Sequence, residues 1–392
     1  MQAPFLNSGS GRAALGIDIG SRAVKVLQAS IMAGRVAIRA AESFPLKPGI
    51  VEQGVIVEPK VFGRALAGFL ARKGIQPSSA NFSIPSRRAV LRWVNLPVLF
   101  GEELRSAARF KVQRHLSFPV KSAYIEACSP KLSEDGKSAE YLVIVVRRDI
   151  IDSRAEAIET AGLVPVRAEV EAQSILRVVD QRLSQQSALW RDASLTIIDV
   201  GGVNTHMYVV QNQRLQFLRG VNFGSALISS VLAKVVEVSD EAAEEMVAGP
   251  HTELSAAGVL SSEVDGQAVR VSVVSTLDKL TREFIRLMRY FRSLHPERSY
   301  AGILDHLLLC GGLAGLRGFA EYLQKSLDIR VERIRPFTGV IGNFNEESFE
   351  NVARHQEAYT VVMGLALTGL KGTGLARSKE SAGNEYVWTR SA

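Results

Sequence analysis

The chain has 392 residues, 46% hydrophobic and 22% charged, the make-up of an ordinary globular protein long enough for two or three domains. No apolar run reaches the roughly 18–20 residues that a membrane-spanning helix needs, and residues 1–12 lack the basic and apolar regions of a secretory signal, so a soluble cytoplasmic protein is expected. The net charge of +7 is spread along the chain; its densest groups are the pairs Arg87-Arg88 and Arg147-Arg148, and no basic run interleaved with aromatics marks a nucleic-acid module. Such a balance suits a solvated basic surface or, alternatively, attraction to the anionic inner face of a membrane. The two cysteines, Cys128 and Cys310, read as free thiols, and the six histidines show no ligand-pair spacing.

After a Gly/Ser-rich start (1–13) expected to be flexible, the pattern predicts a hairpin over 14–28 and a third strand over 35–43. A helix follows over 58–73, with Val61, Phe62, Leu66, Phe69 and Leu70 at helical spacing and Gly74 as its stop. Short strands at 81–86 and 89–96, a helix at 101–116 and strands at 127–132 and 140–147 form a compact α+β unit, set within the first domain at 81–149. A helix (150–161), a strand (165–171) and a helix (172–186) complete the first half, which ends near 192.

The second half, 193–370, opens with another strand, Gly turn and strand over 194–211, then a strand at 214–221 and helices at 224–236 and 240–248. A long helix is predicted over 269–295, with Leu277, Leu280, Phe284, Leu287, Met288 and Phe291 on one side. A strand at 306–310, a Gly-Gly turn, a helix at 316–327, a strand at 330–333 and a last helix at 352–370 follow. The polar tail 371–392 is expected to be disordered, without the apolar stripe of a membrane-binding helix.

Ile17-Asp18-Ile19-Gly20 reappears as Ile198-Asp199-Val200-Gly201, each with the Asp near the end of an apolar strand and a Gly turn after it. One Asp-x-Gly turn is commonplace in sheets; two with matched flanks argue for a cleft between related halves. Gly20 and Ser21, and Gly201 and Gly202, would bring backbone N–H groups close to phosphate oxygens. Asp18 and Asp199 would face a hydrated Mg²⁺, because carboxylate and phosphate repel. Lys25, on the returning strand, could reach the β- or γ-phosphate. A third junction, LLLCGGLAGL at 307–316, runs a buried strand into Gly311 and Gly312 and a helix start that could meet a ring or a phosphate.

These three motifs, in this order, resemble the phosphate-1, phosphate-2 and adenosine motifs of the actin/Hsp70/sugar-kinase superfamily. The details resemble one branch, the type IV pilus assembly protein PilM family, related to the cell-division protein FtsA. The stretches that carry it are GIDIGSRAVK (16–25), ARFKVQRHLSFPVKSAYIEA (108–127), IIDVGGVNTHMYVV (197–210), FLRGVNFGSALIS (217–229), EFIRLMRYFR (283–292), LLLCGGLAGLRGF (307–319) and GLALTGL (364–370). They span nearly the whole chain, and the stretch around Phe118-Pro119 and GLALTGL are the most specific.

The resemblance implies an α/β, actin-like (ribonuclease H-like) two-domain fold. It adds a 1C-type subdomain at 81–149, on the first domain away from the nucleotide, and a 2B-type insertion at 230–304. It implies an ATP site with Mg²⁺ near Asp18 and Asp199 and nucleotide contacts from Gly20, Ser21, Arg22, Lys25, Gly201, Gly202, Asn204, Thr205, Glu283, Arg286, Gly311, Gly312 and Leu313. Glu171 would orient the attacking water, with Glu169 as its competitor, although both could simply start a helix. It implies binding of the cytoplasmic tail of a PilN-type membrane protein in a groove beside the 1C-type subdomain, a homo-oligomeric ring, and indirect association with the inner membrane. Three departures stand out: Arg22 where the family has a small residue, Leu287 where it tends to Ser, and Val247 near an expected Lys. They suggest ATP as a structural ligand with slow turnover at most. Alternatives are an FtsA-like filament-forming ATPase and, with no acceptor-binding segment to support it, a sugar-kinase-type phosphotransferase.

Overall fold

The computed structural model describes residues 14–184, 194–264, 266–294, 306–342 and 352–370. The stretches expected to be flexible or disordered, 1–13 and 371–392, lie outside them. The first half begins with β1 (Ala14–Ile19), β2 (Ala23–Met32) and β3 (Arg35–Pro45), then a small hairpin, β4 (Val51–Glu52) and β5 (Val55–Ile56), helix α1 (Pro59–Arg72) and β6 (Ser79–Ile84). An insertion follows: β7 (Ala89–Pro97), α2 (Gly101–Val112), β8 (Ala123–Leu132) and β9 (Ser138–Arg147), paired antiparallel with β9 in the middle. Helix α3 (Arg148–Thr160), β10 (Val164–Val170) and α4 (Glu171–Ser184) return to the parent fold.

The second half repeats the plan with β11 (Ser194–Val200), β12 (Thr205–Gln211), β13 (Arg214–Val221), α5 (Ser225–Val236) and α6 (Asp240–Ala248). It carries a small antiparallel sheet of β14 (Glu253–Leu254), β15 (Val259–Val264) and β16 (Gln267–Ser272), then α7 (Val274–Leu294), β17 (His306–Cys310), α8 (Phe319–Leu327) and β18 (Arg330–Arg333). The chain ends, as described, with β19 (Ile341–Gly342) and α9 (Thr360–Leu370).

The two main sheets have one topology. Their orders are β10-β6-β1-β2-β3-β19 and β13-β12-β11-β17-β18. In each, an antiparallel three-stranded meander is extended from its first strand by two parallel strands. β1 lies inside its sheet and under helices, which is why every one of its residues is buried and the sequence runs apolar without alternation.

Several boundaries differ from those expected. Asn81–Ile84 pairs with β1 and β10 in the parent sheet, so the insertion starts after Ile84 and not at 81. The predicted helix over 269–295 begins only at Val274, because Val269 and Val271 belong to β16, with its period of two. Helix α8 starts at Phe319 after a 3-10 turn over Gly312–Gly315.

The largest correction concerns the last helix, expected with the second half. α9 is apolar on all sides and packs into the core beneath β1, β2 and β6. A Cβ on Gly16 would fall 2.6 Å from the Val362 carbonyl oxygen, so helix and strand backbones touch there. Asn81 Nδ2 donates to the Leu365 carbonyl at 3.1 Å.

A buried ion pair pins the same helix. The Glu169 carboxylate, fully buried, accepts from Arg177 Nη1 and Nη2 at 2.7 and 2.9 Å and from Thr368 Oγ1 at 3.0 Å. Arg177 Nη1 also donates to the Gly364 carbonyl, so β10, α4 and α9 meet at one carboxylate. Arg177→Ala would strip that buried carboxylate of its two short guanidinium bonds and leave Arg167 Nη1, 3.9 Å from Oε1, as its counter-charge. It is expected to cost about 3–5 kcal/mol in urea unfolding, while the paired change Glu169→Met/Arg177→Met costs less. A loss below about 1 kcal/mol for the single change would show that the pair does not hold α9.

Candidate functional site

The site is built where β1 and β11 end. Each runs into a glycine turn and returns antiparallel: Gly20 N–H donates to the Ala23 carbonyl at 3.1 Å, and Gly201 N–H to the Asn204 carbonyl at 3.0 Å. The register places Asp18 opposite Lys25 and Asp199 opposite His206. The sequence repeat that matches Asp18 with Asp199 therefore also matches Lys25 with His206, a residue the motif reading passed over. Behind the second turn, Gly311 ends β17 at φ 93°, and a Cβ there would collide with Asp199 Oδ1. Only glycine fits that approach. A Cβ on Gly312 would meet no atom within 4 Å.

Three carboxyl groups converge between the turns. Asp18 accepts from Ser83 Oγ at 2.7 Å and lies 4.0 Å from Lys25 Nζ. Glu171, the first residue of α4, accepts from the Ser86 N–H at 2.8 Å. Asp199 accepts no hydrogen bond among the described residues. One oxygen of Glu171, one of Asp199 and one ring nitrogen of His206 lie within 4.8 Å of one another. Burial, with Asp18 nearby, pushes the Glu171 carboxyl up to about 7. Burial and then Glu171 push Asp199 up to about 7 as well. Burial lowers the His206 pKa against the pull of Asp199, and His206 Nε2 is buried with no hydrogen-bond partner. Beneath them lies Arg154, whose side chain is fully buried and donates to the backbone carbonyls of Ser83, Ile150 and Gly54. Burial brings its pKa down to about 10, opposed by Glu171 and Asp18, so it stays a cation under the acids.

A cavity of about 570 Å³ unites most of the expected residues: Asp18, Gly20, Ser21, Arg22, Lys25, Glu171, Asp199, Gly201, Gly202, Asn204, Gly311 and Gly312 all line it. Four others lie elsewhere. Thr205 is buried, with its hydroxyl donating to the Phe223 carbonyl at 2.8 Å, and Leu313 sits in the second core. Glu283 and Arg286 pair with each other on the exposed side of α7, at 2.5 Å, away from the cavity lining. Glu169 is consumed by the Arg177 pair, leaving Glu171 as the acid that faces the cavity. Residues that were not among the expected contacts also line it, among them Lys47, Arg87, Arg88 and His206.

Arg22 does not crowd its own turn. Its side chain lies against Gly202, and Nη2 reaches Glu244 Oε1 on α6 at 3.3 Å, so it spans the cleft. Nor does the insertion stand clear of the site. Its leading residues line the cavity, Trp93 Nε1 donates to the Leu215 carbonyl at 2.7 Å, and Arg214 stacks 3.6 Å over the Trp93 ring while pairing with Glu140 at 2.8 Å.

Open room at Gly312, two N–H-lined turns, Lys25 and partly uncompensated carboxyls suit a ligand that brings both phosphate and a divalent cation. Two sheets of matching topology, a glycine turn and an Asp in each, and an acid-floored cleft between them define an actin-like protein. The chain belongs to the type IV pilus assembly protein PilM family, whose sequence profile matches residues 16–370. The cell-division protein FtsA of Streptococcus pneumoniae is 22% identical over 358 residues, covering 82% of this chain and 75% of that protein. Among solved structures, a PilM-PilN type IV pilus biogenesis complex superposes with a TM-score of 0.73 at 22% identity, covering 91% of this chain and 98% of that one. The ethanolamine utilization protein EutJ of Carboxydothermus hydrogenoformans gives 0.50 at 14% identity, covering 94% of this chain and 90% of that one.

The crowded acids set a pH dependence. Above the ordinary carboxylate range near about pH 4 the unfolded chain has released both protons, whereas the folded chain keeps them until about 7. The stability these groups contribute is thus present at low pH and lost as pH rises through about 7. In buffer free of metal and nucleotide, Glu171→Gln/Asp199→Asn should gain Tm relative to the parent progressively from about pH 5 to about pH 8. A constant difference over that range would show that both acids titrate normally.

Proposed function

We propose that the chain is an ATP-binding scaffold of type IV pilus assembly, which uses the nucleotide chiefly to fix the relation of its two halves. The observation that carries this is the doubled turn, with Asp18 and Lys25 in one copy and Asp199 and His206 in the other facing a single cavity. Membership of the PilM family supports the pilus context. Ser21 and Gly202, in turns that the Gly20 and Gly201 N–H groups close, would hold phosphate oxygens by backbone N–H groups, and Lys25 would add a point charge. Asp18 and Asp199 would hold Mg²⁺ through water, and the ion would neutralise charge on the phosphates when bound. Glu171, half-buried and held by the Ser86 N–H, would orient a water toward the terminal phosphate. A ligand that touches both halves favours the closed arrangement in proportion to its occupancy. No described helix is long and apolar enough to cross a membrane. Recruitment to the inner membrane is assigned to a PilN-type partner, whose cytoplasmic tail would lie beside the insertion in a homo-oligomeric ring.

Asp18→Ala with Asp199→Ala should abolish Mg²⁺-dependent binding of a fluorescent ATP analogue, and Glu171→Gln should bind it while turning over more slowly. Unchanged affinity in the double variant would remove the nucleotide assignment, and an unchanged rate would remove Glu171 from turnover. The partner reading has its own test. Ala89 and Val146 are paired neighbours across β7 and β9, so a short linker can replace the chain between them. That variant should lose binding of a synthetic PilN-type tail peptide by fluorescence anisotropy while still binding ATP. Retained peptide binding would place the groove elsewhere.

A further inference from the structure

The cavity wall facing the second turn carries two cations that none of the three motifs contains. Arg87 and Arg88 sit on the 3-10 turn Ser86–Arg88, where the chain leaves β6 for the insertion, and both line the cavity. Their recorded hydrogen bonds go to neutral acceptors: Arg87 Nη1 donates across the cleft to Asn204 Oδ1, and Arg88 Nη2 to Gln53 Oε1. Neither forms an ion pair among the described residues. Burial, followed by repulsion from Arg87 and Arg147, lowers the Arg88 pKa. Two guanidinium groups that line a phosphate-type cavity without an ion-pair partner among the described residues suit an anion with several oxygens.

Their position along the cavity indicates which anion. The N–H of Ser86, one residue earlier, is held by Glu171. Glu171 is the acid assigned to the water that faces the terminal phosphate, so the next two side chains stand at that end of the ligand. We propose that Arg87 and Arg88 bind the terminal phosphate of a nucleoside triphosphate and make the cleft selective for triphosphate over diphosphate. This rests on the nucleotide reading of the same cavity. When the triphosphate enters, Arg87 exchanges the neutral Asn204 amide for a charged acceptor, a stronger partner. Because the arginines open the insertion, the presence of the third phosphate is felt directly by the segment that leads into β7.

Isothermal titration of the full chain with ADP and with a non-hydrolysable triphosphate analogue, both with Mg²⁺, tests this. Arg87→Gln/Arg88→Gln should reduce the preference for triphosphate at least about tenfold, as loss of one or two charge-assisted contacts implies. Its ADP affinity should stay within about threefold of the parent's, which also shows that the variant is folded. Arg87→Lys/Arg88→Lys should keep part of the preference, since charge remains without the fork. An unchanged triphosphate-to-diphosphate ratio overturns this assignment alone. An equal loss for both nucleotides overturns it too, since it identifies the pair as a structural latch between insertion and second half. Failure of the parent chain to bind either nucleotide overturns the reading of the cavity and this assignment with it.

Discussion

Three carboxyl groups, Asp18, Glu171 and Asp199, are forced together where two sheets present their strand ends, on the partly buried floor of the cavity. Like charges so placed cannot all ionise without help. The protein supplies part of that help. Ser83 donates to Asp18, the Ser86 N–H to Glu171, and the guanidinium of Arg154 lies fully buried beneath. A buried arginine bonded only to carbonyls is an uncommon choice. It is accounted for by the acids above it, whose field keeps it charged. The remaining excess of negative charge is what a divalent cation would neutralise, and the cationic rim of Lys25, Arg22 and Lys47 is what a phosphate chain would complement.

Such a cluster persists only if the strand ends cannot drift apart, and the return of α9 to the first sheet provides the constraint. Gly16 and Gly364 remove the side chains that would separate α9 from β1 and α4, since a Cβ at either would strike backbone. The Glu169–Arg177 pair then fixes α9 to β10 and α4 by directional bonds. The described residues between β18 and α9 touch both halves. Ile334 and Phe337 share the first core, Gly311 N–H donates to the Glu357 carbonyl at 3.1 Å, and β19 adds to the edge at β3. The halves also share an apolar cluster, in which Ile197, Tyr208 and Leu308 of the second sheet join the core of the first.

Much of this was legible in the residues. The doubled Asp-x-Gly turn, the strand–Gly-Gly junction and the period of most helices depend on local chemistry, and these elements appear where the pattern places them. What failed to show depends on partners distant in sequence. The helix over 360–370 carries no sign of which sheet it covers, because an all-apolar helix has no face to read. Residues 269–272 read as helix since the end of a six-residue strand next to a strongly amphipathic helix barely alters the apolar count. Glu283 and Arg286 matched a family spacing, yet a helix turns a motif to any side, and these two stay outside with each other. His206 is within reach of the sequence, because the repeat that selects Asp199 aligns it with Lys25.

The insertion, read in the sequence as a compact unit within the first half, makes contacts with the second half that the local pattern did not anticipate, and they argue for a mechanical role. It touches the second half at two separated points. Arg87 bonds Asn204 in the turn beside the cleft, and Trp93 and Glu140 grip Arg214 and Leu215 at the outer edge. The second contact combines a cation–π stack at 3.6 Å, an ion pair and a hydrogen bond, and Arg214 Nη2 is buried there without a partner. A stack in that geometry is selective for the distance between its planes. Meanwhile Ser86 is hydrogen-bonded to Glu171, to Tyr208 on β12 and to the N–H of Ala172. A body pinned to both halves cannot stay still when the angle between them changes. Either the outer grip slides or the insertion turns on the first half, so any surface it carries shifts with the cleft. The floor of carboxyls and the far side of the insertion are therefore linked by one continuous run of contacts, through Ser86 and β7.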